Sequence, residues 1–562
     1  MAAPSNPLRI LAMSKPRRAT GSGSLDNLRQ EASNEFVFAV VGHAGSGTTQ
    51  IAKSLNSILS EMEITTEKFD VEILKARNVI EEWAKRNNLP MPGRNQQKKL
   101  LSDVEMMQDY GDQMRSETNN NGQSDHAAVA LGLIRMIQRV RAQKVGHDPK
   151  SNDPVDPDGK PRAYILDSIR HPAEVRLLRS VYGDAFVLIG VVCEEGKRLQ
   201  RISDKYDDAG KVLAQQFMKR DANDASKHGQ HVADAFHLAD FFVDNTGDRT
   251  RKGKANVKWN LTEDLGRLAK IVTNSELVRP KVSETAMFHA FSAQMQSACL
   301  SRQVGAAIVD ATGNLVATGS NEAPKAGGGV YGESFQKHEG EEKEEEDHRC
   351  AYFNDPNERY CRNTREQNMI IDELMASIDE LKAIEEPRRT SLREELRKTR
   401  IGGLLEFSRA VHAEMDALLS AARKGVPLTG CRLFVTTYPC HYCARHIVTA
   451  GIDEVQYIEP YPKSQALNLH RDSIATEAID WTPPSSGGTQ VLFRPFSGVA
   501  PRLYERAFLK VRELKDKATG VMRIQEPDWT DPWYLPKKSY IEIEAGLTNP
   551  KDPGSCNDVH NR

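Results

Sequence analysis

Residues 411–452 read VHAEMDALLSAARKGVPLTGCRLFVTTYPCHYCARHIVTAGI, and pattern alone assigns two helices and a strand within them. From His412 the apolar residues recur at helical spacing until Gly425 stops the helix. Arg432 to Thr436 (RLFVT) is a short apolar run of the kind that forms a buried strand. It delivers Tyr438, Pro439 and Cys440 to a second helix that begins near Cys443. His412, Cys440 and Cys443 then lie at helix N-termini, where the positive dipole end favours ionised thiols. One imidazole and two thiolates fill three positions of a tetrahedral zinc and leave the fourth for water. Glu414, two residues after the histidine, is the candidate proton carrier. The bland alternatives are a closed zinc knuckle and unrelated core cysteines. A closed site needs a fourth protein ligand, and none adjoins these three.

Composition narrows the function classes. A chain of 562 residues has room for two or three domains. Its 39% hydrophobic and 27% charged content is ordinary for a soluble globular protein. A net charge of −2 argues against a long polynucleotide footprint, which phosphate neutralisation by Lys and Arg would dominate. No apolar run reaches membrane-spanning length, and the N-terminus has no signal-like apolar segment. Eight cysteines, two of them in the zinc set, fit a reducing compartment, so a cytoplasmic location is expected. Residues 1–33 are rich in Ser, Gly, Arg and Pro and read as a mobile arm, and residues 546–562 as a tail.

Order is predicted to begin with FVFAVVG (Phe36 to Gly42), the continuous apolar run of a buried parallel strand. Later runs around Ile165, Leu188 and Phe242 alternate with helical patterns, which makes residues 34–275 a layered α/β domain. The first strand ends in GHAGSGTT. Gly42, Gly45, Ser46 and Gly47 have the spacing of a phosphate-binding loop, and Thr49 stands where such loops place a metal-binding hydroxyl. Thr48 replaces the usual lysine, which removes the contact to the terminal phosphates. A nucleoside triphosphate with Mg2+ is therefore expected here, without phosphoryl transfer. Asp167, Arg170, Pro172, Glu174, Arg198 and Arg201 stand in segments that resemble those of nucleotide and nucleoside kinases.

A second unit starts near residue 276. KVSETAMFHAFSAQMQSACLSRQ reads as an amphipathic helix, and VGAAIVDATGNLVATGSNEAP as strand, turn and strand. Ser301, Arg302, Val304-Gly305-Ala306 and Asn321 resemble the opening of deoxycytidylate deaminases. His-Ala-Glu with Pro-Cys-x-x-Cys is the signature of zinc nucleobase deaminases. The pairing of the two units resembles the bacterial antiphage dCTP/dCMP deaminases. That resemblance implies an α/β fold: a P-loop kinase-like parallel-sheet domain, then a cytidine deaminase-like α/β/α domain over 276–545 with a helical insertion at about 331–405. It implies deamination of dCTP and dCMP with release of ammonia, depleting dCTP during infection. It also implies Asn321, Arg302 and Lys463 as nucleotide contacts, a homo-oligomer such as a hexamer, dCTP and dTTP as effectors, and a restraining small RNA in some members.

The insertion opens Gly-rich, passes through EGEEKEEED and then turns helical. Ile371, Leu374, Ile378 and Leu381 form one apolar stripe, which suits packing within or between chains. His348, Cys350 and Cys361, with Cys299, are candidates for a second metal, although irregular spacing fits unmetallated cysteines equally. Two other classes share parts of this pattern. A tRNA or single-stranded nucleic-acid deaminase uses the same zinc signature but needs a basic, aromatic groove. A P-loop kinase or nucleotide sensor with an accessory zinc domain is opposed by the missing lysine and the intact Glu414.

Overall fold

The computed structural model describes residues 33–548, apart from 65–66, 93–98, 119–121, 150–152, 225, 248–249, 252–253, 256–260, 333–348, 353–354, 462, 479, 511–513 and 523–536. The expected arm, the acidic run, His348 and the end of the expected tail lie outside the described residues.

The protein is a mixed α/β molecule with two six-stranded sheets. The first contains β1 (Glu35–Val41), β2 (Asp70–Lys75), β3 (Arg162–Ile169), β4 (Phe186–Val192) and β5 (Phe241–Asp244). These run parallel in the order β2-β3-β1-β4-β5. All residues of β1 are buried because both faces of the sheet are covered. Phe36, Phe38 and Val40 face α1 (Thr48–Glu61) and an apolar helix at Leu261–Val272, while Val37, Ala39 and Val41 face helices at Ala128–Val145 and Pro172–Tyr182. The period of two along the strand thus divides one apolar run between two cores.

The second sheet contains β6 (Gly305–Val309), β7 (Leu315–Ser320), β8 (Arg432–Thr437), β9 (Glu454–Glu459), β10 (Ile474–Ala475) and β11 (Val491–Pro495), in the order β7-β6-β8-β9-β11-β10. The helix Val282–Gln294 lies on one face, so close that a Cβ on Gly305 would sit 1.9 Å from the Ala290 carbonyl oxygen. The helices Ala413–Arg423 and His441–Thr449 cover the other face through Ala413, Ala417, Cys443 and Ile447. At Gly319 a Cβ would meet the Ala413 carbonyl oxygen at 2.1 Å. Only glycine lets the helix that starts after His412 approach that closely.

The division between the units differs from the sequence expectation. After the second sheet the chain returns to the first, where β12 (Gly498–Val499) pairs antiparallel with β5. The helix Lys537–Thr548 then docks on the same unit. Its Glu544 meets Arg141 at 2.7 Å and accepts a hydrogen bond from Tyr182 at 2.6 Å. Residues 498–508 and 537–548 therefore pack with the first unit, and the expected tail boundary at 546 falls inside a helix. Ala286, Met287, Ala307, Val309 and Phe434 share a hydrophobic cluster with Phe242, so the sheets have a common core. The predicted stripe of the insertion is also shorter than expected. Ile371 and Met375 are buried, Ile378 is 41% exposed, and the helix Arg362–Ser377 ends before it.

Candidate active site

His412 and Cys440 are the N-cap residues of the helices Ala413–Arg423 and His441–Thr449. The parallel pair β8 and β9 fixes the approach of the second helix. The Cys440 thiol accepts the Cys443 amide at the helix start, so a backbone donor supports its ionised form. His412 Nδ1 lies 3.2 Å from Cys440 Sγ and 3.4 Å from Cys443 Sγ. The three ligand atoms are all within 4.8 Å of one another. Tetrahedral zinc with ordinary Zn–N and Zn–S lengths needs N···S separations of roughly 3.5 Å, so the set fits that ion. Cys440 and Cys443 are buried, and no fourth protein ligand joins the cluster among the described residues.

Of the three ligand side chains, Cys440 is shifted toward its ionised form and Cys443 away from it. The Cys440 thiol is lowered to about 4 by the hydrogen bond from Cys443, against the cost of burial, with help from His412. Burial would lower the His412 imidazole, but the Cys440 hydrogen bond and charge lift it to about 9. Glu414 is 4% exposed. Burial first, then the Cys440 charge, raises its carboxyl to about 7. A carboxyl held near neutrality can both take and return a proton.

The site opens into a cavity of about 360 Å3, within the usual range for small-molecule pockets. His412, Glu414 and Cys440 line it, as do the predicted contacts Arg302, Asn321 and Lys463. Asn321 lines the cavity and also makes two backbone hydrogen bonds. Its Oδ1 accepts the Val304 amide at 2.6 Å and its Nδ2 donates to the Arg302 carbonyl at 2.7 Å. Each end of the side chain gives one bond to the loop before β6 and keeps a second acceptor or donor position. Arg302 pairs with Glu459 at 3.1 Å, and Lys463 donates to the Gly402 carbonyl at 3.2 Å.

Several lining residues were not picked out from the sequence. Tyr438 lines the cavity, and its buried hydroxyl has no hydrogen-bond partner among the described residues. Its place two residues before Cys440 was the available signal. Arg362 and Arg409 also line the cavity, although they belong to the insertion and its exit. Cys299, Cys350 and Cys361 border the same space, and Cys361 Sγ lies 3.1 Å from Ser301 Oγ. Among the described residues these cysteines do not form a second ligand cluster of the His412 kind.

The glycine loop 42–47 links β1 to α1, with positive φ at Gly45 and Gly47. Thr49 Oγ1 donates to Asp167 at 2.9 Å, and Thr48 Oγ1 lies 2.9 Å from Ser168 Oγ. Ser46 Oγ and His43 Nδ1 are buried without partners among the described residues, whereas the Ala44 amide is taken by Asp221 at 2.7 Å. Arg170 pairs with Asp221, and Arg198 and Arg201 donate to the Cys193 and Asn245 carbonyls. Glu174, expected in a kinase-like segment, closes a capping box with His171 and pairs with the buried Arg115 at 2.8 Å. Its role is structural.

Residues 280–459 match the family described as Cytidine and deoxycytidylate deaminase zinc-binding region. A cytidine/deoxycytidylate deaminase zinc-binding domain is therefore present in this chain. ComE operon protein 2 of Bacillus subtilis is 46% identical over 76 residues, which are 13% of this chain and 40% of that protein. The deoxycytidylate deaminase of Enterobacteria phage T2 is 26% identical over 183 residues, 33% of this chain and 82% of its own. A crystal structure of dCMP deaminase from the cyanophage S-TIM5, in complex with dCMP and dUMP, matches 39% of this chain and 99% of its own at 17% identity and a TM-score of 0.20.

Proposed function

We propose that the chain hydrolytically deaminates deoxycytidine nucleotides, dCTP and dCMP, to deoxyuridine nucleotides and ammonia. The observation that carries this reading is the convergence of His412, Cys440 and Cys443 beside the buried Glu414, in a cavity of nucleotide size. The relatives named deoxycytidylate deaminase supply the choice of base and sugar. His412, Cys440 and Cys443 would hold a zinc ion, which when bound would lower the pKa of a water toward neutrality. Glu414 takes the proton of that water and passes it to cytosine N3, which makes C4 electrophilic. The water oxygen adds to C4, Glu414 then takes the second proton from the new C4 hydroxyl and delivers it to the amine, and the C4–N bond breaks to release ammonia as the C4 carbonyl forms.

The glycine loop is read as a site for a nucleoside triphosphate with Mg2+ that gates the deaminase. The Thr49–Asp167 pair is a ready hydroxyl and carboxylate for the cation, and two buried polar atoms at the loop lack partners among the described residues. Resemblance to antiphage dCTP/dCMP deaminases extends the reading to dCTP depletion in phage defence by a cytoplasmic homo-oligomer. Ammonia release from dCTP, dCMP, cytidine and an RNA hairpin tests the activity. Turnover of the two deoxynucleotides is expected to exceed that of cytidine and the hairpin, and faster turnover of the hairpin overturns the reading. For the loop, Gly47→Val is expected to abolish equilibrium triphosphate binding. A Cβ at Gly47 would lie 2.4 Å from Asn245 Nδ2, on backbone of φ 90°.

A further inference from the structure

The deaminase cavity is not built by the deaminase sheet alone. Arg302 and Lys463 come from loops at the ends of β6 and β9, whereas Arg362 begins the insertion's main helix and Arg409 lies just before His412. All four cationic side chains line one cavity, against the carboxylates of Glu322 and Glu414 among the described lining residues. Glu322 is engaged by the Ala298 and Ala323 amides at 2.7 and 2.9 Å, and Glu414 serves the chemistry. The rim thus carries four cationic side chains, of which Arg302 is paired with Glu459 and Arg362 with Glu358.

The insertion is held against this rim by specific bonds. Asn363 and Gln367 both donate to the Leu404 carbonyl, at 2.9 and 2.7 Å, tying the start of the helix Arg362–Ser377 to the segment that leads into His412. Glu358 holds the Arg362 guanidinium at 2.9 Å. Cys361, Arg362 and Asn363, the first residues of that 16-residue helix, line the cavity, so the positive end of its dipole adds to the arginine charges.

A phosphate monoester carries about −1.5 to −2 charge near neutrality, and each further phosphate adds roughly one more. Arg302 and Lys463 alone suit a monophosphate. From this we infer that Arg362 and Arg409 read the phosphates beyond the first, so that the insertion gives the deaminase its preference for a nucleoside triphosphate over the monophosphate. This rests on the reading of the cavity as a deoxycytidine nucleotide site.

The test is the ratio of kcat/KM for dCTP to that for dCMP in the full chain and in single variants. Arg362→Gln and Arg409→Gln are each expected to lower the ratio by about tenfold, the effect of one lost charge-assisted contact. Arg362→Lys and Arg409→Lys keep the charge and are expected to recover most of it, and Lys463→Gln lowers both substrates together. Zinc content and melting temperature report whether each variant keeps its pocket. Ratios that stay within about twofold of wild type in both glutamine variants overturn the inference and leave the deaminase reading standing. A wild-type chain that turns over neither nucleotide overturns both.

Discussion

Burial and the Cys440 charge hold Glu414 near pH 7, which gives a single carboxyl two jobs in one reaction cycle. Glu414→Gln is expected to keep one zinc per chain by metal analysis and to lower kcat about 10²- to 10⁴-fold. Near-normal turnover in that variant removes the residue from the mechanism. Cys443→Ser is expected to lose the metal along with activity, because three protein ligands are present among the described residues and Cys443 is fully buried. The same scale shows how one polar side chain can serve the backbone and a cavity together. Asn321 was expected to face the nucleotide, and it lines the cavity while bonding the Arg302 and Val304 backbone. A short polar side chain beside a ligand loop satisfies backbone groups as readily as it reads a substrate, and only coordinates separate the two.

Among the elements, the start of the helix Glu195–Lys205 carries a pH-dependent strain. Burial, followed by the carboxylates of Glu477 and Asp244, raises Glu194 from 4.5 to about 7. The folded state thus binds this proton more tightly than the unfolded chain does. The associated stability is present below the unfolded value near 4.5 and is lost as pH rises through 7. Glu194→Gln is expected to raise the melting temperature at pH 8 while changing it little at pH 5. A gain of equal size at both pH values contradicts the assignment. The C-terminal helix Lys537–Thr548 offers a second test. Arg141 is 0% exposed and joins Glu35 at 2.8 Å and Glu544 at 2.7 Å. Arg141→Met leaves two buried carboxylates facing one another, and a loss of about 3–5 kcal/mol in urea unfolding is expected. An unchanged midpoint shows that the helix is not anchored through this cluster.

For the whole molecule, the two sheets do not separate at the linker that sequence suggests. Val282–Gln294 packs between them, and Glu284 joins Arg267 at 2.6 Å to the Val499 amide at 2.8 Å. A fragment of residues 276–562 therefore exposes the faces of Met287, Phe496 and Val499 that the first sheet covers. Limited proteolysis is expected to degrade this fragment under conditions in which the full chain resists. A fragment as resistant as the full chain means that the shared core contributes little.

The sequence by itself determined the local parts: apolar runs for the strands, the stop at Gly425, and the His-Ala-Glu and Pro-Cys-x-x-Cys segments whose side chains meet within 4.8 Å. These features follow from short-range periodicity and from the ligand geometry of one cation, so neighbouring residues suffice to read them. Tertiary structure decided what depends on distant segments. It returned Gly498–Val499 to the edge of the first sheet and buried Glu544 against Arg141. It also brought Arg362 and Arg409 to the cavity of His412. Pairing along a sheet edge and burial of a charge are set by the free energy of contacts between residues hundreds of positions apart, which no local pattern encodes.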